Sequence, residues 1–547
     1  MKTQAVALIT GIETSTPDQR PKGKTQMNRI STIMWKLVSI APKAALLVIV
    51  VLGSLAASPM AFAACSYTWA KSTILQAPGL SANFSGTLNG ISLGIYYEVW
   101  TQSGNFTGGP VLQTPTVAYN GISVPAAGWV ALPQSPMNVS IHGIVPPTAT
   151  TGQTGHVTMA LYDINFDLLC YTTVTVEAVN APALSTEMNT IGGDNEVDEY
   201  YKGVDLNVYQ LSWPGTWKSA NITQLSGAPI ADVLSPIASQ VDAAYNSYEV
   251  FYLDPNQNIW EAYFDNGRKT WSSTDITAVT GTPAAKAGST IVSVVNPYAG
   301  SIQLNYLDSG GHIRQLWSWN RKTWYGNDLT SQTGAPIAAA GSPLFTLNDT
   351  AKNWIEVYYL DTNNYVRGLS FSSSGGWVYF NPSPGYVSPA QAGSALVGVV
   401  NPYAGSVQVN YVDSAGRVDQ LYSWDRQTWA GGPVLTTAPN AAPGSGMATE
   451  VNTIAGSVEV YYLDSTQTVS ELWWQASSGW HFSNPTVGTG APNAAAGSPV
   501  VSLVNTRANT VQVHYIAPDK HVHELWWNGS WHADDVTLAA GAYPAIP

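Results

Sequence analysis

The chain has 547 residues, of which only 10% are charged and 11% aromatic, with 48 glycines and 34 prolines. Low charge with many turn formers and β-favouring aromatics excludes a disordered or coiled-coil chain and predicts an all-β protein with room for two cores. The net charge of −13 becomes −18 beyond residue 63, where 15 basic face 33 acidic groups; that balance repels phosphate, so neither nucleic acid nor an anionic membrane surface is expected as a partner.

Residues 1–63 read as a leader. Arg29, Lys36 and Lys43 supply a positive flank, Ala44 to Ala57 an apolar run, and Ala61-Phe62-Ala63 a small-residue cleavage pattern. The run is shorter than the roughly 20 residues that span a bilayer, so export without membrane insertion is expected. The protein should therefore be secreted or displayed at the cell surface.

There are two cysteines, Cys65 and Cys170. In an exported chain an even count predicts one disulfide. Phe62-Ala63-Ala64-Cys65 also sits close to a bacterial lipobox, in which a lipidated Cys65 would form the mature N-terminus; the bridge is the preferred reading.

Residues 64–181 contain alternating segments. Val157, Met159 and Leu161 share one face, with His156, Thr158 and Ala160 opposite, and Cys170 shares its side with Val174, Val176 and Ala178. This period of two marks half-buried strands. About seven such strands predict an immunoglobulin-like β-sandwich, pinned first strand to last by the bridge. Val179-Asn180-Ala181-Pro182 reads as a linker.

From 182 to 547 the chain repeats. Tyr201, Tyr252, Tyr306, Tyr359, Tyr411, Tyr462 and Tyr515 recur at intervals of 51 to 54 residues. Such a period predicts a seven-bladed β-propeller, each blade holding four strands. The second strand ends in the periodic Tyr, the third carries a Leu such as Leu316 or Leu472, and the fourth starts near a Trp such as Trp324 or Trp480. A β-branched residue stands seven positions after each Tyr and belongs to the packing between blades. Turns such as Asp254-Pro-Asn-Gln-Asn258 lack the glycine and distal Glu of a calcium loop and read as hairpins.

A hairpin centred three residues after each Tyr sets seven polar pairs face to face: Asp198/Gln210, Glu249/Glu261, Gln303/Gln315, Glu356/Gly368, Gln408/Gln420, Glu459/Glu471 and Gln512/Glu524. Opposed carboxylates repel, and partial burial would make them share a proton unless a ligand or cation intervenes. Blades two, four and six carry Glu at the first position; three, five and seven carry Gln. The doubled unit predicts two kinds of cleft.

Val-Tyr-Tyr, a short turn, an apolar residue, then Glu-Leu or Glu-Ala and a downstream Trp resemble the fucose-binding β-propeller lectins, and the repeat count is similar to that of the bacterial seven-bladed members. The resemblance covers about 183–547. It implies sugar clamped between blades by an Arg on the second strand, a Glu on the third and an aromatic residue. The Glu position falls on Glu261, Glu471 and Glu524, whereas the Arg position holds only Asp, Glu or Gln. Planar polar groups for hydroxyls and aromatic faces for C–H remain on offer. The expected ligand-binding residues are Glu249, Glu261, Gln315, Trp317, Gln420, Tyr422, Glu459, Glu471, Trp473, Glu524 and Trp526.

Four histidines of the last repeat, His514, His521, His523 and His532, read as surface groups, so no metal and no cofactor are assigned. Asp265 to Trp271 and Asp425 to Trp429 have the wrong spacing for sialidase Asp-boxes, and no nucleophile elbow is present, so no catalytic residue is expected. The sequence thus predicts multivalent, non-catalytic recognition of glycans or glycoproteins, with a structural or protein-binding propeller as the rival reading and a glycoside hydrolase as a third.

Overall fold

The computed structural model describes residues 65–76, 81–104, 106, 112–146, 153–178, 181–191, 196–350 and 352–547. The leader, its apolar run and its cleavage step lie outside the described residues, as do Val179 and Asn180 of the linker. Among the described residues every extended element is a strand, the helices are single turns, and no helix is long and apolar enough to cross a membrane.

The N-terminal part forms ten strands rather than the seven expected, in two five-stranded sheets. The difference comes from short strands such as Ser66–Trp69, Thr73–Gln76 and Ile122–Val124, whose few residues carry little periodicity to read. The two sheets share one core. Phe84, Val117, Val139 and Ile141 from one meet Val157, Met159, Leu161 and Val174 from the other. Alternation is clean along Thr154–Tyr162, where every second residue is buried. Cys65, beside the first strand, is bonded to Cys170 on the last strand, Leu168–Ala178.

The rest forms seven four-stranded antiparallel sheets in simple meander order. The first comprises Leu184–Asn189, Glu196–Lys202, Val208–Trp213 and Lys218–Asn221. The next five span 237–275, 292–328, 344–380, 396–433 and 447–483. The seventh comprises Val500–Asn505, Thr510–Ile516, Val522–Trp527 and Trp531–Asp535. The first strand of each sheet lies against that of the next, and the seventh returns to the first, so the set closes on itself. These innermost strands line a central cavity of about 400 Å³.

The periodic tyrosines explain the period. All seven are buried, and six hydroxyls donate to a backbone carbonyl in the segment entering their own sheet, as Tyr252 to Pro229 at 2.8 Å, Tyr306 to Pro283 at 2.7 Å and Tyr462 to Pro439 at 2.8 Å. Burying a phenol requires such a partner. The first sheet has no preceding sheet, and Tyr201 donates instead to the carbonyl of Tyr543 at 2.5 Å. Most connections start with a one-turn helix capped by Asn or Asp and ended by a glycine at positive φ, as at Asp275 and Gly281.

The hairpin register differs from that expected. Tyr252 faces Trp260, which centres the turn four residues after the Tyr rather than three. The reason is the loop's first residue: the Asp254 carboxylate accepts from the backbone N–H of Asn256 and Asn258, holding a five-residue loop open with Gln257 at φ 66°. Asp308, Asp361, Asp413 and Asp464 do the same. Glu249 therefore faces Tyr263 and Glu261 faces Phe251, so the two carboxylates are diagonal neighbours on one face, not opposed. In later sheets the shift sets a polar residue directly opposite an aromatic one: Gln303 and Trp317, Gln408 and Tyr422, Glu459 and Trp473, Gln512 and Trp526.

Candidate functional site

The β-branched residues Ile259, Ile313, Val469 and Val522 are fully buried, and they fix the spacing between neighbouring sheets. Two and four positions further along the same strand face come the predicted polar and aromatic residues. At three of the junctions they line open space.

Three junctions are open clefts. Between the fifth and sixth sheets, Gln408, Gln420, Tyr422 and Trp424 meet Trp474 and Trp480 around about 420 Å³. Between the sixth and seventh, Glu459, Glu471 and Trp473 meet Trp527 and Trp531 around about 270 Å³. Between the seventh and first, Gln512, Glu524 and Trp526 meet Trp213 and Trp217 around about 580 Å³. Each offers a pair of planar polar groups beside indole or phenol faces, the chemistry a saccharide needs.

Two other junctions are filled from the neighbouring sheet. Arg321, in the turn before Trp324, makes a close ion pair with Asp242 and stands 3.5 Å from Glu249. Arg426, in the same turn of the fifth sheet, bonds Asp349 through Nε at 2.7 Å and Nη2 at 2.6 Å. Each guanidinium lies over a buried carboxylate and supplies its opposite charge, and Glu356 also feels Arg426. Glu249 and Glu261 are thus together at the second junction, with an arginine over the first. At the third, Gln315 donates to Gln303 at 3.1 Å while Trp317 stacks on Tyr325 with ring centres 5.6 Å apart.

The arginines lie in turns and act on a neighbouring sheet, outside the strand pattern that predicts the other site residues. Their signal was present: Ser318-Trp-Asn-Arg-Lys-Thr-Trp324 recurs as Ser423-Trp-Asp-Arg-Gln-Thr-Trp429. The seventh sheet shortens this turn to Trp527-Asn-Gly-Ser-Trp531 and loses the arginine, and the sixth sheet has Asn452 where Asp242 and Asp349 stand. There Asn452 donates to Glu459 at 2.6 Å.

Residues 289–542 match the sequence model of the fungal fucose-specific lectin family. Over that stretch the repeats are similar to the fucose-binding β-propeller lectin superfamily. Among solved structures, the BP39L lectin of Burkholderia pseudomallei is 18% identical with a TM-score of 0.51, over 64% of this chain and 98% of that one. The lectin of Aleuria aurantia, solved with Fucα1-6GlcNAc, is 16% identical with a TM-score of 0.40, over 56% and 96%. AofleA of Arthrobotrys oligospora is 16% identical with a TM-score of 0.40, over 55% and 86%. No curated protein matches the sequence.

Within this ring of sheets the junction carboxylates are held in unusual states. Burial pushes Glu261 up to about 8 and raises Glu249 well above the ordinary carboxylate value, with the Glu261 charge adding to the effect there. Burial also raises Glu459 and Glu471, and the charge of Glu459 adds to the rise at Glu471. Ser483 donates to Glu471, while Ser457 at 2.9 Å and Tyr461 donate to Glu459, which fixes both carboxyl planes at the cleft wall. In the seventh-to-first cleft, one oxygen each of Gln512 and Glu524 is buried without a hydrogen-bond partner. His514 lies behind, 3.8 Å from Glu524 and 4.0 Å from Glu199. Burial opposes its charge, but the two glutamates prevail and its pKa is raised. The aromatic walls are stiffened as well: Trp473 stacks on His481 and Trp526 on His532, each with ring centres 4.1 Å apart. His514 and His523 are buried, contrary to the surface reading; both lie on strands inside the sheet.

Proposed function

We propose that the chain is an exported, non-catalytic lectin comprising a leader (1–63), an immunoglobulin-like sandwich (64–181) and a seven-bladed propeller (182–547). In this reading it recognises glycans on several inter-blade clefts at once. The observation that carries it is the set of three open clefts, each pairing planar polar groups with aromatic faces. Glu471 and Glu524 accept hydrogen bonds from sugar hydroxyls, Gln408, Gln420 and Gln512 both donate and accept, and Tyr422, Trp473 and Trp526 stack on C–H faces. Weak sites spaced around one ring bind a glycan-coated surface through avidity. The disulfide fits an oxidising compartment outside the cytoplasm.

The test is a glycan array probed with the secreted chain. Selective signals competed by free sugar are expected, and Glu471→Gln or Trp473→Ala should weaken them about tenfold without lowering the thermal midpoint. A blank array would overturn the lectin reading. It would favour the second one, a protein-binding propeller, which the arginine-filled junctions at Asp242 and Asp349 support.

A further inference from the structure

At the outer corner of the seventh sheet, four side chains from three segments converge. Asp519 lies in the hairpin after Tyr515, His521 and His523 flank the start of the third strand two residues apart, and Asp535 ends the fourth strand opposite His523. A spacing of two puts both imidazoles on one face of the strand. His521 Nδ1 is 2.6 Å from Asp535 Oδ2, and His523 Nε2 is 3.0 Å from Asp519 Oδ2. One donor atom from each of the four lies within 4.8 Å of all the others.

Both carboxylates are already oriented. Asp535 Oδ1 accepts the backbone N–H of Leu538 at 2.8 Å, and Asp519 Oδ1 accepts that of His521 at 3.0 Å. In each case the remaining oxygen points at a histidine nitrogen. The His523 ring is also held on the face of Tyr515, with centres 5.9 Å apart. Such outer contacts are what position ligands around a metal.

The third sheet shows what the corner ordinarily contains. His312 stands where His521 does and Asp328 where Asp535 does, but Arg314 replaces His523. Its guanidinium bridges Asp308 at 2.7 Å and Asp328 at 3.2 Å, a permanent cation between two carboxylates. The seventh sheet keeps two carboxylates, moving one to Asp519, and exchanges the guanidinium for an imidazole that carries a lone pair.

We infer that Asp519, His521, His523 and Asp535 form a binding site for a divalent transition-metal ion, with zinc the best match. Two imidazole nitrogens and two carboxylate oxygens make a four-ligand tetrahedral set, with bonds of about 2.0–2.2 Å and donor separations of about 3.3 Å. The present separations close to that value by small rotations of Asp519, His521 and Asp535 around the buried His523; His521 and Asp535 retain 28% and 23% exposure, which leaves the ion a way in. Magnesium and calcium, which prefer all-oxygen shells, fit poorly. The ion would join the last strand to the hairpin just ahead of the segment that returns to the first sheet.

The experiment uses the intact, tag-free chain, stripped with EDTA and dialysed against zinc, with magnesium and calcium as controls, followed by metal analysis and thermal unfolding. One zinc per chain is expected, with a raised thermal midpoint. His521→Ala should lower affinity at least tenfold. His523→Arg, which copies the third sheet and so preserves the fold, should do the same while leaving the metal-free midpoint unchanged. Absence of stoichiometric zinc, equal binding of calcium, or zinc retained by both variants would overturn the site. None of these readouts depends on glycan binding.

Discussion

Tyr201 and Tyr543, 342 residues apart, are joined by a hydrogen bond of 2.5 Å from hydroxyl to carbonyl. The other six periodic tyrosines find this carbonyl 23 residues upstream, so the C-terminal segment takes over for the first sheet a role played elsewhere by the preceding connection. Tyr209 stacks between the two rings, Ala545 bridges Gly203, and Ile546 N–H bonds Lys202. Tyr201→Phe should cost about 1 kcal/mol, one buried hydrogen bond. Ending the chain at 541 should cost several times more, because buried Ala545 and Ile546 go too. Urea unfolding followed by tryptophan fluorescence measures both.

Arg321 and Arg426 should behave as buried ion-pair partners rather than surface cations. Removing either by Ala leaves Asp242 with Glu249, or Asp349, enclosed without its guanidinium, at a cost of about 3–5 kcal/mol. Arg268, which pairs with Asp265 but is largely exposed, should cost less than about 1 kcal/mol when replaced in the same assay.

Stability should fall as pH rises from about 4.5 to about 8. Glu261 and Glu450 keep their protons up to about 8 in the fold, and Glu199 and Glu356 up to about 7, all because of burial. Below the ordinary carboxylate value both states are protonated and the full stability is present. Above it the unfolded chain has released protons that the native one retains, and each such group weakens folding by about 1.4 kcal/mol per pH unit until its native pKa is passed. Glu261→Gln should flatten this slope and raise the midpoint at pH 8. Thermal scans at half-unit intervals of pH read the effect directly.

Reducing the Cys65–Cys170 bond, which closes a loop of 105 residues, should destabilise the N-terminal sheets by about 3–5 kcal/mol. The core of those sheets is a cluster of its own, touching the seven-sheet region where Leu75 packs against Leu206, Val233 and Ile546. Calorimetry with and without reductant should therefore lower one transition and leave the other in place.

Much of this architecture was legible because the repeat writes the same physics seven times. The periodic Tyr, the buried β-branched residue and the fourth-strand Trp each mark a fixed place in a sheet, and their spacing alone locates the strands. The face shared by Glu459 and Glu471 was also readable, since alternation survives a register shift of two. What escaped was non-local or depended on a turn. The aspartate that opens each hairpin loop, Asp254 in the second sheet and Asp464 in the sixth, moved the cross-strand partners of its own sheet and so set Glu459 opposite Trp473. Arg321 and Arg426 act on a neighbouring sheet, and nothing along a single strand announces that. The ten strands of the N-terminal part do not repeat, so its short edge pieces left no pattern to count.

The arginine turns also divide the molecule mechanically. From the second sheet to the fifth, two of three seams are stapled by guanidinium groups reaching across them. From the fifth onward to the first, the seams hold hollows instead. Breathing of the assembly is thereby concentrated in the half that bears the hollows, where a bound molecule would itself act as the missing staple.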